Sequence, residues 1–145
     1  MTYLDSSAII KLYYFEEDTA RVSAFVRKLA APIAFSNLHS LEVRNSLRLK
    51  VFRREASPAE LKASLNLIDD DLDSGMLLRP GLNWFDVFRH AETVSRSYSP
   101  RLGVRSLDLL HVASCLLLEA EDFLTFDERQ EVLAEEAGLN LVTIR

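Results

Sequence analysis

Thr2-Tyr3-Leu4-Asp5-Ser6-Ser7-Ala8-Ile9-Ile10 is the stretch whose reading decides the fold. β-Branched and aromatic residues make Thr2-Tyr3-Leu4 a short strand that ends at Asp5. Ser6 or Ser7 then caps a helix with Ile9, Ile10, Leu12 and Tyr13 on its apolar side. Working outward, the same alternation repeats. Thr19 to Ala30 carries Val22, Phe25, Val26 and Leu29 at helical spacing, Pro32 interrupts, and Ile33-Ala34-Phe35 is a second strand. Leu38 to about Arg54 is a helix with a basic outer side. Ser57-Pro58-Ala59-Glu60 is a capping box with proline at the first helical position, and the helix it starts carries Leu61, Leu65, Ile68 and Leu72. Gly75 suits its left-handed end.

Met76-Leu77-Leu78 is a third strand. Asn83 with Asp86 opens a helix bearing Trp84, Val87, Phe88, Ala91 and Val94, and Ser99 to Gly103 reads as a loop around Pro100. Ser106 opens the next helix, with Leu109, Leu110, Ala113 and Leu117 inward. Phe123-Leu124-Thr125 is a fourth strand, Glu128 to Ala137 a helix stopped by Gly138, and Leu141 to Ile144 a last strand. Strands alternating with helices predict an α/β fold. A central parallel sheet of about five strands is flanked by α-helices, in a single domain over residues 1–145.

Composition agrees. The 145 residues are 48% hydrophobic and 27% charged, enough apolar material for a core without staples. The single cysteine, Cys115, excludes an internal disulfide and a multi-cysteine zinc site. No basic, apolar leader and no run near the ~20 residues of a spanning helix is present, so a cytoplasmic protein with no membrane association is expected. The net charge of −5 argues against bulk electrostatic binding of nucleic acid. Its distribution is uneven, however. Leu41 to Arg54 holds five bases against Glu42, and Leu117 to Ala137 holds eight acids against Arg129.

Ligands of an open parallel sheet bind beyond the carboxyl ends of its strands. Asp5 ends the first strand, Glu42 lies early in the helix after the second, Asp108 early in the helix before the fourth, and Asp127 just past the fourth. Singly, each acid has a structural use as a cap or as a partner of a helix dipole. Jointly, four carboxylates at one edge repel unless a cation neutralises them. Hard oxygen ligands select Mg²⁺ or Mn²⁺, which suits phosphodiester hydrolysis by metal-activated water. His111 shares a helix face with Asp108; a His–carboxylate metal pair and a hydrogen-bonded core histidine are the two readings, and the core reading is the preferred one. His39 and His90 lack ligand spacing, and Cys115 reads as a buried thiol. Nucleotide-binding glycine loops and a G-x-S-x-G elbow are absent. A receiver-type phospho-acceptor domain would want paired acids after the first strand and a late lysine, yet no lysine follows Lys62. A catalytically inactive RNA-binding or regulatory module is the other alternative; the presence of all four acids speaks against it, while a change of geometry alone would leave it open.

Tyr3-Leu4-Asp5-Ser6-Ser7-Ala8, Leu41-Glu42-Val43-Arg44-Asn45-Ser46-Leu47, Arg105-Ser106-Leu107-Asp108-Leu109-Leu110-His111-Val112-Ala113 and Leu124-Thr125-Phe126-Asp127 together resemble the PIN-domain nucleases. The overall pattern is similar to the VapC toxins of type II toxin–antitoxin modules. The resemblance implies an Mg²⁺- or Mn²⁺-dependent endoribonuclease whose metal and catalytic acids are Asp5, Glu42, Asp108 and Asp127. Ser6 and Thr125 match its hydroxyl positions and would orient carboxylates or water. Glu128 stands where relatives often carry a further acid. The resemblance also implies a homodimer, a cognate antitoxin, and operator DNA bound through the toxin–antitoxin complex. Arg48 and Arg105, near two of the acids, are the expected contacts to RNA phosphates.

Overall fold

The computed structural model describes residues 1–144, in two compact units: Met1–Asp5 with Pro80–Thr143, and Ser6–Arg79 with Ile144. In chain order the elements are β1 (Thr2–Leu4), α1 (Ser6–Ile9) continued by a 3₁₀ turn (Ile10–Leu12), α2 (Thr19–Arg27), β2 (Ile33–Ala34), α3 (Asn37–Phe52), α4 (Pro58–Ser74), β3 (Leu77–Leu78), α5 (Trp84–Leu102), α6 (Ser106–Leu117), β4 (Asp122–Leu124), α7 (Glu128–Glu136) and β5 (Asn140–Leu141). Among the described residues no helix is long and apolar enough to cross a membrane.

All strand pairs are parallel, which the alternation of strands and helices dictates. The strands do not form one sheet of five, as the sequence suggested. The first unit holds a three-stranded sheet ordered β1-β4-β5, and the second a β2-β3 pair. The second pair is short because only Ile33, Ala34 and Phe35 separate Pro32 from the helix cap at Ser36, and the ladder ends with the Phe35 N–H on the Leu78 carbonyl at 2.7 Å.

In the first unit β4 is the central strand, with Tyr3 opposite Phe123 and Leu4 opposite Leu124 on β1. The Tyr3 and Phe123 rings stack at 5.5 Å with both residues buried. Helices α5, α6 and α7 pack on one another, and α6 is buried continuously from Asp108 to Cys115. Cys115 is fully buried; burial, and next the negative charge of Asp122, push its thiol up to about 12. It is the inert thiol expected. His111 is also a core residue, with Nδ1 2.9 Å from the Tyr3 hydroxyl.

In the second unit Ile33 and Ala34 of β2 pair with Leu77 and Leu78 of β3. The capping box at Ser57 forms as read: the Ser57 hydroxyl accepts from the Glu60 N–H and the Glu60 carboxylate accepts from the Ser57 N–H, both at 3.1 Å. Gly75 closes α4 at φ +82°, a conformation that side chains with a Cβ rarely adopt. Tyr13 donates to Asp71 at 2.6 Å; burial first, then that bond, raises its phenol well above the ordinary range.

Four local readings change. Residues 99–102 are the last turn of α5, not a loop. Pro100 forfeits one backbone donor at an exposed position, where water can take the freed carbonyl. That turn is fastened to α7 by Tyr98, which donates to the Glu136 carbonyl, and by a two-pronged Arg101–Glu136 bond at 3.0–3.1 Å. Second, α2 stops at Arg27, where the Lys28 N–H bonds to Phe25 in a tight turn ahead of Pro32. Third, Leu117 is exposed, being the last residue of α6 beyond its buried run. Fourth, β5 spans Asn140–Leu141, though the Val142 N–H still reaches the Phe123 carbonyl at 2.9 Å.

Candidate active site

Because β1 and β4 are adjacent and parallel, Asp5 and Thr125-Phe126-Asp127 leave the same carboxyl edge of the first unit's sheet. The Asp5 N–H extends the ladder by one bond, to the Leu124 carbonyl at 3.1 Å. Both Asp5 and Thr125 are buried. The Thr125 hydroxyl donates to Asp5 Oδ2 at 2.6 Å and accepts from the Asp127 N–H at 3.0 Å. A single hydroxyl thus joins the turn after β4 to the carboxylate after β1. The short bond to a carboxylate is of the charge-assisted kind. Asp127 caps α7, its Oδ1 accepting from the Arg129 and Gln130 N–H groups at 2.9 and 3.2 Å.

Asp108 lies in the first turn of α6 and is only 8% exposed. Its Oδ2 accepts from the Arg105 N–H at 3.4 Å, as a capping-box partner would. The structural uses open to Asp108 and Asp127 from sequence are therefore both realised. Two further residues tie these acids together. The Gln130 side chain, fully buried, donates from Nε2 to the Asp108 carbonyl at 3.2 Å. The Arg105 guanidinium approaches Asp108 Oδ2 at 3.4 Å and Asp127 Oδ2 at 3.3 Å. Asp5, Asp108 and Asp127 consequently belong to one hydrogen-bonded network within the first unit.

Gln130 was not singled out from sequence, although Asp127-x-x-Gln130 has capping-box spacing. Its side chain leaves its own helix N-terminus and clamps the start of α6 instead. Gln130 Oε1 accepts no hydrogen bond among the described residues, a cost on the order of 1–3 kcal/mol for a buried acceptor.

In the second unit Ser6, the residue after Asp5, donates from its hydroxyl to Glu42 Oε1 at 2.9 Å. Glu42 projects from the second turn of α3, whose start is set by Ser36 and His39. His39 Nδ1 accepts from the Ser36 N–H at 3.0 Å, so this buried histidine is a helix cap. The basic strip is partly neutralised. Arg44 pairs with Asp69 at 2.9 Å and Lys50 with Glu55 at 3.4 Å. Arg48 is exposed and makes no ion pair among the described residues. Arg101 pairs with the acidic helix α7: its hydrogen bond to Glu136 holds that carboxyl below its ordinary range. Glu128 is exposed in the first turn of α7.

Among the described residues no group of three or more His, Cys, Asp or Glu side chains is gathered closely enough to hold a metal. The donor chemistry nevertheless suits a hard divalent cation, because the acids offer oxygen ligands alone. Arg105 bridges Asp108 and Asp127 with a positive charge.

The PIN domain family matches residues 2–136. No curated relative matches the sequence. Among solved structures, a chain of the "Crystal Structure of FitAcB from Neisseria gonorrhoeae" is 17% identical, with a TM-score of 0.66, and the likeness covers 99% of this chain and 97% of that one. At that identity the likeness concerns the fold, and it agrees with the family match. A strand-ending Asp5, a parallel neighbour that ends in Thr125-Phe126-Asp127 and the buried Asp108 of α6 thus occur on a chain that belongs to the PIN domain family.

Proposed function

We propose that residues 1–145 act as one PIN-like nuclease domain, an Mg²⁺- or Mn²⁺-dependent endoribonuclease that resembles the VapC toxins of type II toxin–antitoxin modules. PIN domains are generally nucleases and typically use divalent metal ions. The observation that carries the reading is the network that ties Asp5 and Asp108, two buried carboxylates, to Asp127. The burial of these acids is compensated by hydrogen bonds and by the Arg105 charge, and acids that converge through one such network at a strand edge are candidates for holding a cation. Asp5, Asp108 and Asp127 of the first unit would hold the cation, directly or through water, and Glu42 of the second unit is the further candidate ligand that the resemblance names. When bound, the ion would supply an activated water and stabilise the charge that develops at phosphorus.

The chain's own residues do the positioning. Thr125 fixes the Asp5 carboxylate, Ser6 fixes that of Glu42, and Gln130 fixes the helix start that carries Asp108. Second-sphere bonds of this kind orient ligands and tune their basicity. Arg48 and Arg105 would take phosphates that flank the scissile bond, where the planar fork of arginine fits best. A cognate antitoxin, a homodimer, operator DNA bound through the toxin–antitoxin complex, and a cytoplasmic setting complete the proposal.

Metal removal is the direct test. Purified protein incubated with structured and single-stranded RNA should cleave in Mg²⁺ or Mn²⁺ and lose cleavage in excess chelator, with activity restored on adding the metal back. Cleavage that persists in chelator would end the metal-dependent reading.

Arg48 has its own test. Arg48→Ala should weaken RNA binding and flatten the log–log salt dependence by roughly 0.7, the contribution of one phosphate contact on a single strand. A salt series read by fluorescence anisotropy, on an Asp5→Asn background that spares the RNA, measures this. An unchanged slope would leave Arg48 a solvated side chain.

A further inference from the structure

At Arg105 a positive charge of this chain spans two of the candidate metal acids. Its guanidinium approaches Asp108 Oδ2 through Nε at 3.4 Å and Asp127 Oδ2 through Nη2 at 3.3 Å. Both contacts are longer than the 2.7–2.9 Å of tight charge-assisted bonds. The arginine side chain is 62% exposed, whereas the Asp108 side chain is 12% exposed and that of Asp127 33%. The carboxylates are thus held by their surroundings and the guanidinium is held loosely at the rim. Asp127 is fixed by bonds to the Arg129 and Gln130 N–H groups, and the helix start at Asp108 is fixed by Gln130. If the guanidinium leaves, the acids keep their places.

We propose that Arg105 is an internal counter-ion that a divalent cation displaces from Asp108 and Asp127, so that metal loading frees its guanidinium for a phosphate of the substrate. The inference rests on the reading of these acids as metal ligands. Its physical basis is competition. Two carboxylates that share a site repel, and either a guanidinium or a divalent cation relieves that repulsion. The divalent ion carries twice the charge and prefers oxygen ligands, so it wins the carboxylates. The guanidinium, exposed and flexible, loses little on returning to solvent, since exposed ion pairs are worth little. Arg105 therefore serves two partners in turn, and the order is set by the metal.

Mn²⁺ binding to chelator-stripped protein, followed by electron paramagnetic resonance of the free ion, tests this without reference to activity. Arg105→Ala should bind Mn²⁺ about three- to tenfold more tightly than wild type, the scale of removing two weak competing ion pairs. Arg101→Ala removes the same unit charge from the pair with Glu136 and should stay within about twofold of wild type, which separates competition from net charge. Arg105→Lys keeps the charge but lacks the fork that spans two carboxylates, and should lie between wild type and Arg105→Ala. Melts in chelator should show Arg105→Ala less stable than wild type, with the difference gone at saturating Mn²⁺. Equal or weaker Mn²⁺ affinity in Arg105→Ala would overturn the exchange, as would an Arg101→Ala effect of the same size. Absence of Mn²⁺ affinity in wild type, or full affinity retained in Asp108→Asn, would instead overturn the metal reading on which the exchange rests.

Discussion

Asp5→Asn and Asp108→Asn should each lower metal-dependent RNA cleavage on the order of a hundredfold or more, the scale of losing a group that stabilises charge at the reacting centre. The substitution is nearly isosteric, which makes the outcome interpretable. In Asp5→Asn the amide oxygen can still accept the Thr125 hydroxyl now 2.6 Å away, so the turn after β4 keeps its anchor. In Asp108→Asn the oxygen can still accept from the Arg105 N–H, so the helix start keeps its cap. What disappears is the negative charge. Circular dichroism and a thermal melt close to wild type, together with lost cleavage, are the expected pair of results. Wild-type cleavage rates in either variant would remove that acid from the catalytic set, and a collapsed melt would make it a structural cap.

Phe123→Ala has the largest expected effect on stability. Phe123 is fully buried on the central strand β4, and its ring stacks on Tyr3 at 5.5 Å with an interplanar angle of 16°. Truncating such a side chain loses its transfer free energy and leaves a cavity, typically about 3–5 kcal/mol. Set against a net stability of roughly 5–15 kcal/mol, that is a large fraction. For a chain of this size the melting temperature should fall by about 10 °C or more. The loss also bears on the site, because β4 delivers Thr125 and Asp127 to the edge where β1 delivers Asp5. Cleavage should therefore fall at temperatures below the melt as well. A drop of less than about 3 °C in calorimetry would mean that Phe123 on the central strand is not a main support of the fold.

Much of this was legible beforehand, for reasons that are local. Ser57-Pro58-Ala59-Glu60 specifies a helix start through bonds within four residues, and it forms as read. Gly75 and Gly138 end helices at positive φ because that conformation is open to glycine. The loop reading around Pro100 failed because a proline in a last helical turn sacrifices one donor, and contacts of Tyr98 and Arg101 with α7 hold the turn. Those contacts come from 35 and more positions away. No pattern along residues 99–103 could announce them.

The sequence by itself determined the alternation of strands and helices and the parallel pairing that follows from it, because both depend on residue type and short spacing. It named the four acids as candidates through their strand-end placement, and their two hydroxyl companions through a match to the motifs of a family. Only the tertiary structure decided that the strands divide into sheets of three and two, that Thr125 grips Asp5 from 120 positions away, and that Gln130 clamps the start of Asp108's helix. It alone decided that Arg105 stands across Asp108 and Asp127. Apart from the Arg105–Asp108 contact within one helical turn, these are bonds between residues 22 or more positions apart, and their geometry exists only once the strands have been placed side by side.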